Sequence, residues 1–175
     1  MILHIENAVE LGTLEAIIES LSNEMFTSGQ ETAGRAAKAV KKNRQIRLQN
    51  DQPAALKMLL SQLQKHPLLQ GVALPSQFVN VMVNQYRTDM EYGLHLDDAL
   101  MGNVRTDISF TLGLSSLESF EGGELVIEDS TGERAWKLGL GDLLIYPSTY
   151  LHRVNKVTQG ERLAMVGWIK SHVRD

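Results

Sequence analysis

Phe78-Val79-Asn80-Val81-Met82-Val83-Asn84 is where the chain changes character. Val79, Val81 and Val83 alternate with Asn80, Met82 and Asn84, the period-two signature of a β-strand whose faces meet different surroundings. The three valines are expected on one face. Short strand-like segments then recur at Asp107–Leu114, Glu124–Ile127, Arg134–Leu138, Asp142–Tyr146, His152–Val157 and Arg162–Ile169. Turn signals separate them at Glu121-Gly122-Gly123, Ser130-Thr131-Gly132, Gly139-Leu140-Gly141 and Gln159-Gly160. Many short strands divided by glycine turns predict a barrel or jelly-roll sandwich.

The chain before this point reads differently. Ile2-Leu3-His4-Ile5 is a short strand candidate, and Thr13 is placed as the N-cap of an amphipathic helix over 13–24. Thr27 to Gly34 is polar and glycine-containing, hence a loop. Asp51 and Pro53 have the residue types of a helix start, Leu56, Leu59, Leu60 and Leu63 form one apolar stripe, and His66-Pro67 ends that helix. The expected architecture is one domain, mainly β with N-terminal helices. Residues 1–77 form a largely helical support and 78–170 a double-stranded β-helix (jelly-roll) core.

Composition narrows the function. At 175 residues the chain is long enough to bury about 70% of its unfolded surface. A net charge of −4 argues against a general nucleic-acid binder. Cysteine is absent, so any metal must be held by His, Asp or Glu. That composition suits a reducing cytoplasm. Neither a signal peptide nor an apolar run of the roughly 20 residues needed to span a membrane is present, so a soluble protein is expected.

The chemistry-bearing residues begin with Tyr92-Gly93-Leu94-His95-Leu96-Asp97-Asp98. At the end of a strand, positions i and i+2 face one way, so His95 and Asp97 converge while Leu94, Leu96 and Asp98 turn away. An imidazole and a carboxylate are two thirds of a facial iron triad, which needs one more histidine. His152 follows a strand and turn that would return the chain to the barrel mouth, and it is the candidate. His4, His66 and His172 lack partners at useful spacing and read as surface or packing residues. Arg162 heads a strand face otherwise made of Ala164, Val166 and Trp168. Either it sits at a strand end in solvent, or it pairs with a distant acid, or it receives a carboxylate from a bound molecule. The basic run of Arg35, Lys38, Lys41, Lys42, Arg44 and Arg47 is either a solvated surface or a rim that attracts an anion.

A family resemblance rests on these same residues. Asn84-Gln85-Tyr86, Tyr92-Gly93-Leu94-His95-Leu96-Asp97, Arg105-Thr106-Asp107, Gly122-Gly123-Glu124-Leu125, Gly141-Asp142-Leu143, Tyr146-Pro147-Ser148, Leu151-His152, and Arg162 with Trp168-Ile169 resemble the Fe(II)- and 2-oxoglutarate-dependent dioxygenases. Within them the chain is most similar to the bacterial PKHD-type, prolyl 4-hydroxylase-like hydroxylases, a group associated with iron uptake. The likeness extends weakly to Val40-Lys41-Lys42-Asn43. It implies Fe(II) on His95, Asp97 and His152, with Arg162 on the distal carboxylate of 2-oxoglutarate. It also implies that Tyr86 and Trp168 line the cosubstrate pocket. Ser109 is a candidate hydroxyl for the cosubstrate, and Gly113 would leave room for it. Two imidazoles and a carboxylate leave three positions of an octahedral metal open, enough for a chelating keto acid and one further ligand.

The implied reaction hydroxylates a substrate while 2-oxoglutarate and dioxygen become succinate and carbon dioxide, with ascorbate as an accessory reductant. The substrate is expected to be a free amino acid, a peptidyl side chain or a siderophore-like small molecule. The family pattern continues past a Trp-Ile-x-Ser-x-Val-Arg-Asp segment into a helical extension, whereas the sequence here stops at Trp168–Asp175. The barrel is expected to stand without that extension. Two other readings share the architecture: a cupin-like metal-binding protein or sugar-modifying isomerase, and a non-enzymatic barrel with a structural His and Asp.

Overall fold

The computed structural model describes residues 1–31, 38–48 and 54–173. Arg35, the helix start at Asp51 and Pro53, and Arg174-Asp175 lie outside the described residues. In chain order the strands are β1 (Leu3–Ile5), β2 (Thr27–Ser28), β3 (Lys41–Lys42), β4 (Arg44–Arg47), β5 (Pro75–Arg87), β6 (Glu91–His95), β7 (Leu100–Met101) and β8 (Val104–Arg105). They continue as β9 (Ile108–Gly113), β10 (Phe120–Gly122), β11 (Leu125–Asp129), β12 (Gly132–Trp136), β13 (Leu143–Pro147), β14 (Leu151–Val154) and β15 (Val157–Ser171).

Among the described residues two large antiparallel sheets result, with β7 and β8 forming a separate two-stranded one. The larger runs β1-β13-β9-β15-β5-β4-β2, with β10 on β15, and the smaller runs β12-β11-β14-β6-β3. Strands far apart in sequence sit side by side in each, as in a jelly roll. The inner faces meet through Tyr86, Leu144 and Tyr146 of the larger sheet and Leu125, Ile127 and Val154 of the smaller one. On the outer face of the larger sheet, Val81, Val83, Phe110, Leu112, Leu143, Ile145, Met165 and Ile169 pack against Leu14, Ile17, Leu56, Leu59, Leu63 and Leu69 of the helices. The apolar alternation of β9 thus faces the helices, and Ser109 and Thr111 face inward.

The first 77 residues supply more than helices: β1, β2 and β4 join the larger sheet and β3 the smaller. The first helix is Leu11–Ser20, so Thr13 lies inside it instead of capping it. Its buried hydroxyl accepts a hydrogen bond from Gln62 Nε2 at 3.0 Å, which ties this helix to the next. That next helix, Ala54–Lys65, buries the Leu56, Leu59 and Leu63 stripe. Pro67 ends it as expected and also opens a short helix, Pro67–Val72, in the first-turn position proline favours. The segment expected as a loop after Thr27 contributes β2 and a single helical turn, Gly29–Glu31. Among the described residues no helix is long and apolar enough to cross a membrane.

Two local features depart from simple alternation. The pairing of β5 with β15 shifts between Val166 and Trp168, opposite Asn80, whose φ is 45°. This is a β-bulge, built on a residue type that tolerates left-handed backbone. Past it the faces swap, so Val79 joins Met82 and Trp168 on the inner side while Val81 and Val83 stay with the helices. The three valines do not share a face. The expected turn at Gln159-Gly160 is also absent, because β15 runs through it. Gly160 (φ 77°) lets β10 approach so closely that a Cβ would lie 2.0 Å from the Ser119 carbonyl oxygen.

Gly113 has a similar steric role: a Cβ there would meet Gly139 O at 2.0 Å. It makes room for the 139–141 turn, and the expectation that it makes room for a cosubstrate is not met. Gly113→Ala is therefore expected to lower stability by at least ~1–3 kcal/mol. Gly12→Ala, at an exposed position of the first helix with open space around the new methyl, should raise it by about 0.5–1 kcal/mol. Paired thermal or denaturant melts of the two variants check both signs.

Candidate active site

The inner faces enclose a cavity of about 1010 Å³, at the upper end of the usual range for small-molecule sites. His95, Asp97, His152, Arg162, Tyr86, Ser109 and Trp168 all border it. These seven residues singled out from the sequence therefore reach one space, whereas Gly113 does not border it.

The histidines meet because β14 pairs with β6 in a register that sets His152 opposite His95. Their rings are 4.2 Å apart between centroids. Strand β6 ends at His95, so Asp97 comes from the following loop and not from the strand alternation that suggested it. It still arrives between the rings, with Oδ1 3.9 Å from His95 Nε2 and Oδ2 3.7 Å from His152 Nε2. One donor atom from each residue lies within 4.8 Å of the others. Leu94, Leu96 and Asp98 do not turn away altogether; they also border the cavity.

The tautomers follow from the backbone. His95 Nδ1 is 2.8 Å from Gly93 O, and His152 Nδ1 is 3.0 Å from Tyr150 O. A carbonyl can only accept, so each Nδ1–H donates and each Nε2 keeps its lone pair for the shared space. Burial, with His152 alongside, pushes the His95 pKa down to about 4, so this ring is neutral near pH 7. Tyr92 stacks on it at 3.6 Å. Ser109 Oγ lies 2.6 Å from Asp97 Oδ2 and 2.8 Å from Ser148 Oγ. The carboxylate accepts only, so the chain runs Ser148 O–H to Ser109 Oγ and Ser109 O–H to Asp97. Ser109 thus orients the carboxylate. Two imidazoles and an oriented carboxylate form a donor set that suits Fe(II).

Arg162 is buried, 3% exposed, in register with Tyr86 on the adjacent strand. Its guanidinium carbon sits 5.3 Å from the Tyr86 ring centroid. Among the described residues no carboxylate lies within ion-pair distance of it, although Glu124 acts on it at longer range. Burial lowers its pKa, yet an arginine stays cationic, and an unpaired buried charge costs several kcal/mol. The solvent-exposed alternative for Arg162 is thereby removed. Burial also raises the Tyr86 pKa to about 12, so its phenol keeps its proton. Trp168 Nε1 and Asn84 Oδ1 are buried without a hydrogen-bond partner. Tyr92 and Tyr146 border the cavity without having been given a role from the sequence, and Lys41, read there only as one of a basic run, borders it too, while Ser148 lies behind Ser109. Their signal is tertiary: only strand pairing brings them to the cavity.

Comparison with known proteins bears on family and fold. A family model described as the 2OG-Fe(II) oxygenase superfamily matches residues 81–170. A PKHD-type hydroxylase of Idiomarina loihiensis is 55% identical over 174 residues, covering 99% of this chain and 79% of that protein. A second, from Rippkaea orientalis, is 41% identical over 179 residues, covering 100% and 81%. In fold, a Pseudomonas putida prolyl-4-hydroxylase superposes with a TM-score of 0.77 at 18% identity, covering 98% of this chain and 93% of that one. A viral collagen prolyl hydroxylase from Paramecium bursaria chlorella virus gives 0.71 at 14% identity, covering 97% and 96%. The chain belongs to the 2OG-Fe(II) oxygenase superfamily and, within it, to the PKHD-type hydroxylases.

Proposed function

We propose that this chain forms one cytoplasmic dioxygenase unit in which His95, Asp97 and His152 hold Fe(II) and Arg162 takes the distal carboxylate of 2-oxoglutarate. The carrying observation is that two free Nε2 atoms and a carboxylate converge in the same cavity as a buried arginine without a carboxylate partner. When bound, the iron and cosubstrate supply the oxidising chemistry that hydroxylates the prime substrate, with release of succinate and carbon dioxide.

The chain's own residues position and insulate. The Gly93 and Tyr150 carbonyls fix both imidazole tautomers, and Ser109 fixes the carboxylate. Arg162 offers a planar fork suited to a bidentate carboxylate. Tyr86 remains a phenol beside it and can donate to the same group. Leu125 and Val154 give the cavity an apolar wall that would help exclude water when a cosubstrate is bound. Trp168 borders the cavity with a free N–H. Ascorbate would act only as an external reductant restoring the ferrous state.

Adding Fe(II) and then 2-oxoglutarate without oxygen should produce a visible metal-to-ligand charge-transfer band; its absence in folded protein would overturn the proposal. In the same titration, Arg162→Ala should weaken 2-oxoglutarate binding at least ~30-fold, equivalent to about 2 kcal/mol, and leave Fe(II) affinity within a few-fold. Equal loss of both would make Arg162 a structural residue.

A further inference from the structure

The basic run separates into groups with different tasks. Arg44 is structural: its guanidinium donates to Asn23 Oδ1, Gln85 Oε1 and the Asn23 and Phe26 carbonyls. Lys42 is exposed and lies 3.8 Å from Glu91. Lys38 is exposed. Lys41 and Arg47 border the cavity.

Lys41 is an unusual lysine, only 4% exposed. Its Nζ donates to Gln45 Oε1 at 2.9 Å and lies 4.9 Å from the Tyr92 ring centroid. Tyr92 in turn stacks on His95, so this ammonium stands close to the candidate metal ligands. Arg47 follows Gln45 at i+2 on β4, on the same face and roughly 7 Å along the strand. Burial, opposed by Asp97 and reinforced by the Arg47 charge, lowers the Lys41 pKa to about 8, which leaves it mainly cationic at pH 7. Among the described residues neither Lys41 nor Arg47 forms an ion pair.

Charge matching shows what remains to be bound. Asp97 is assigned to the metal and Arg162 to the cosubstrate. Lys41 and Arg47 are then two cations on the cavity wall with no ion-pair partner among the described residues; Asp98, the other carboxylate bordering the cavity, pairs with neither. On the same wall Asn84, which pairs in register with Gln45, holds a buried Oδ1 without a donor.

We propose that Lys41 and Arg47 form the recognition site for a carboxylate on the prime substrate, so that this enzyme hydroxylates a carboxylate-bearing small molecule. The proposal rests on the dioxygenase reading above. The buried Lys41 ammonium takes the carboxylate from inside, next to the metal, and Arg47 closes on it from the exposed side. Asn84 Oδ1 is left to accept a hydrogen bond from a neutral donor elsewhere on the same molecule.

The test uses protein loaded with Mn(II), as an inert stand-in for Fe(II), and 2-oxoglutarate. Calorimetry measures binding of matched probes: N-acetyl-L-aspartate and N-acetyl-L-glutamate, L-aspartate and L-glutamate, and the side-chain amide of each. The expected result is that at least one acid binds ten or more times tighter than its amide. Lys41→Met and Arg47→Ala should each reduce that preference by about tenfold or more, while 2-oxoglutarate affinity from the charge-transfer titration stays within about threefold. Arg47 is exposed, so its variant tests the proposal even if Lys41→Met does not fold. No acid-over-amide preference anywhere in the panel overturns the proposal. So does loss of 2-oxoglutarate affinity in both variants, which would assign the pair to the cosubstrate. Failure of the dioxygenase reading itself would look different: the wild-type protein would give no charge-transfer band at all.

Discussion

The cross-strand pairing of His152 with His95 is the constraint on which the site depends. It is a backbone event, set by the antiparallel register of β14 on β6. A one-residue slip would turn one imidazole to the other face of the smaller sheet. The register is protected by what surrounds it. Strand β14 is held on its other edge by β11, with His152 opposite Ile127, and both inner faces are closed by the apolar layer around Tyr86, Phe120 and Tyr146. Given that register, each ring needs only its own nearby carbonyl to select the tautomer.

The larger sheet contributes the opposite charge character. Strand β15 lies between β5 and β9 and has little freedom, so Arg162 is carried to a fixed place beside Tyr86 whether or not that is electrostatically comfortable. The protein tolerates a buried cation here because the helices and the outer face of the same sheet bury a large apolar cluster. The site is thus a compromise between sheets: ligand donors from the smaller, a cation and hydroxyls from the larger. The Ser148–Ser109–Asp97 chain is where the two are joined by hydrogen bonds, since both serines belong to the larger sheet's strands or their ends and Asp97 follows β6.

The division of the basic run shows how far charge patterning can be read. Six cations in one stretch look alike in one dimension. In the fold, Arg44 is spent on carbonyls and amides, Lys42 faces an exposed glutamate, and Lys41 is drawn inside because β3 pairs with β6 at Tyr92. Residues two apart in β4 share a face, so Gln45 and Arg47 follow the same wall. No rule of composition separates these outcomes; strand pairing does.

The sequence by itself determined the mainly β core, most of its strands and the grouping of His95, Asp97 and His152, and it singled out Arg162. Those features depend on local alternation and on residue types whose chemistry has few alternatives. It also carried the family, through motifs spread from Asn84 to Ile169. Only tertiary structure decided which face each residue takes where alternation breaks. Asn80's bulge sends Val79 inward, β15 passes through Gly160 without turning, and Asp97 reaches the histidines from a loop. It also set Ser109 against the Asp97 carboxylate and Gly113 at a close backbone approach. The physical reason is common to all of these. A strand's own sequence states a period, but bulges, register and neighbours at a distance set the phase, and the phase decides what a side chain touches.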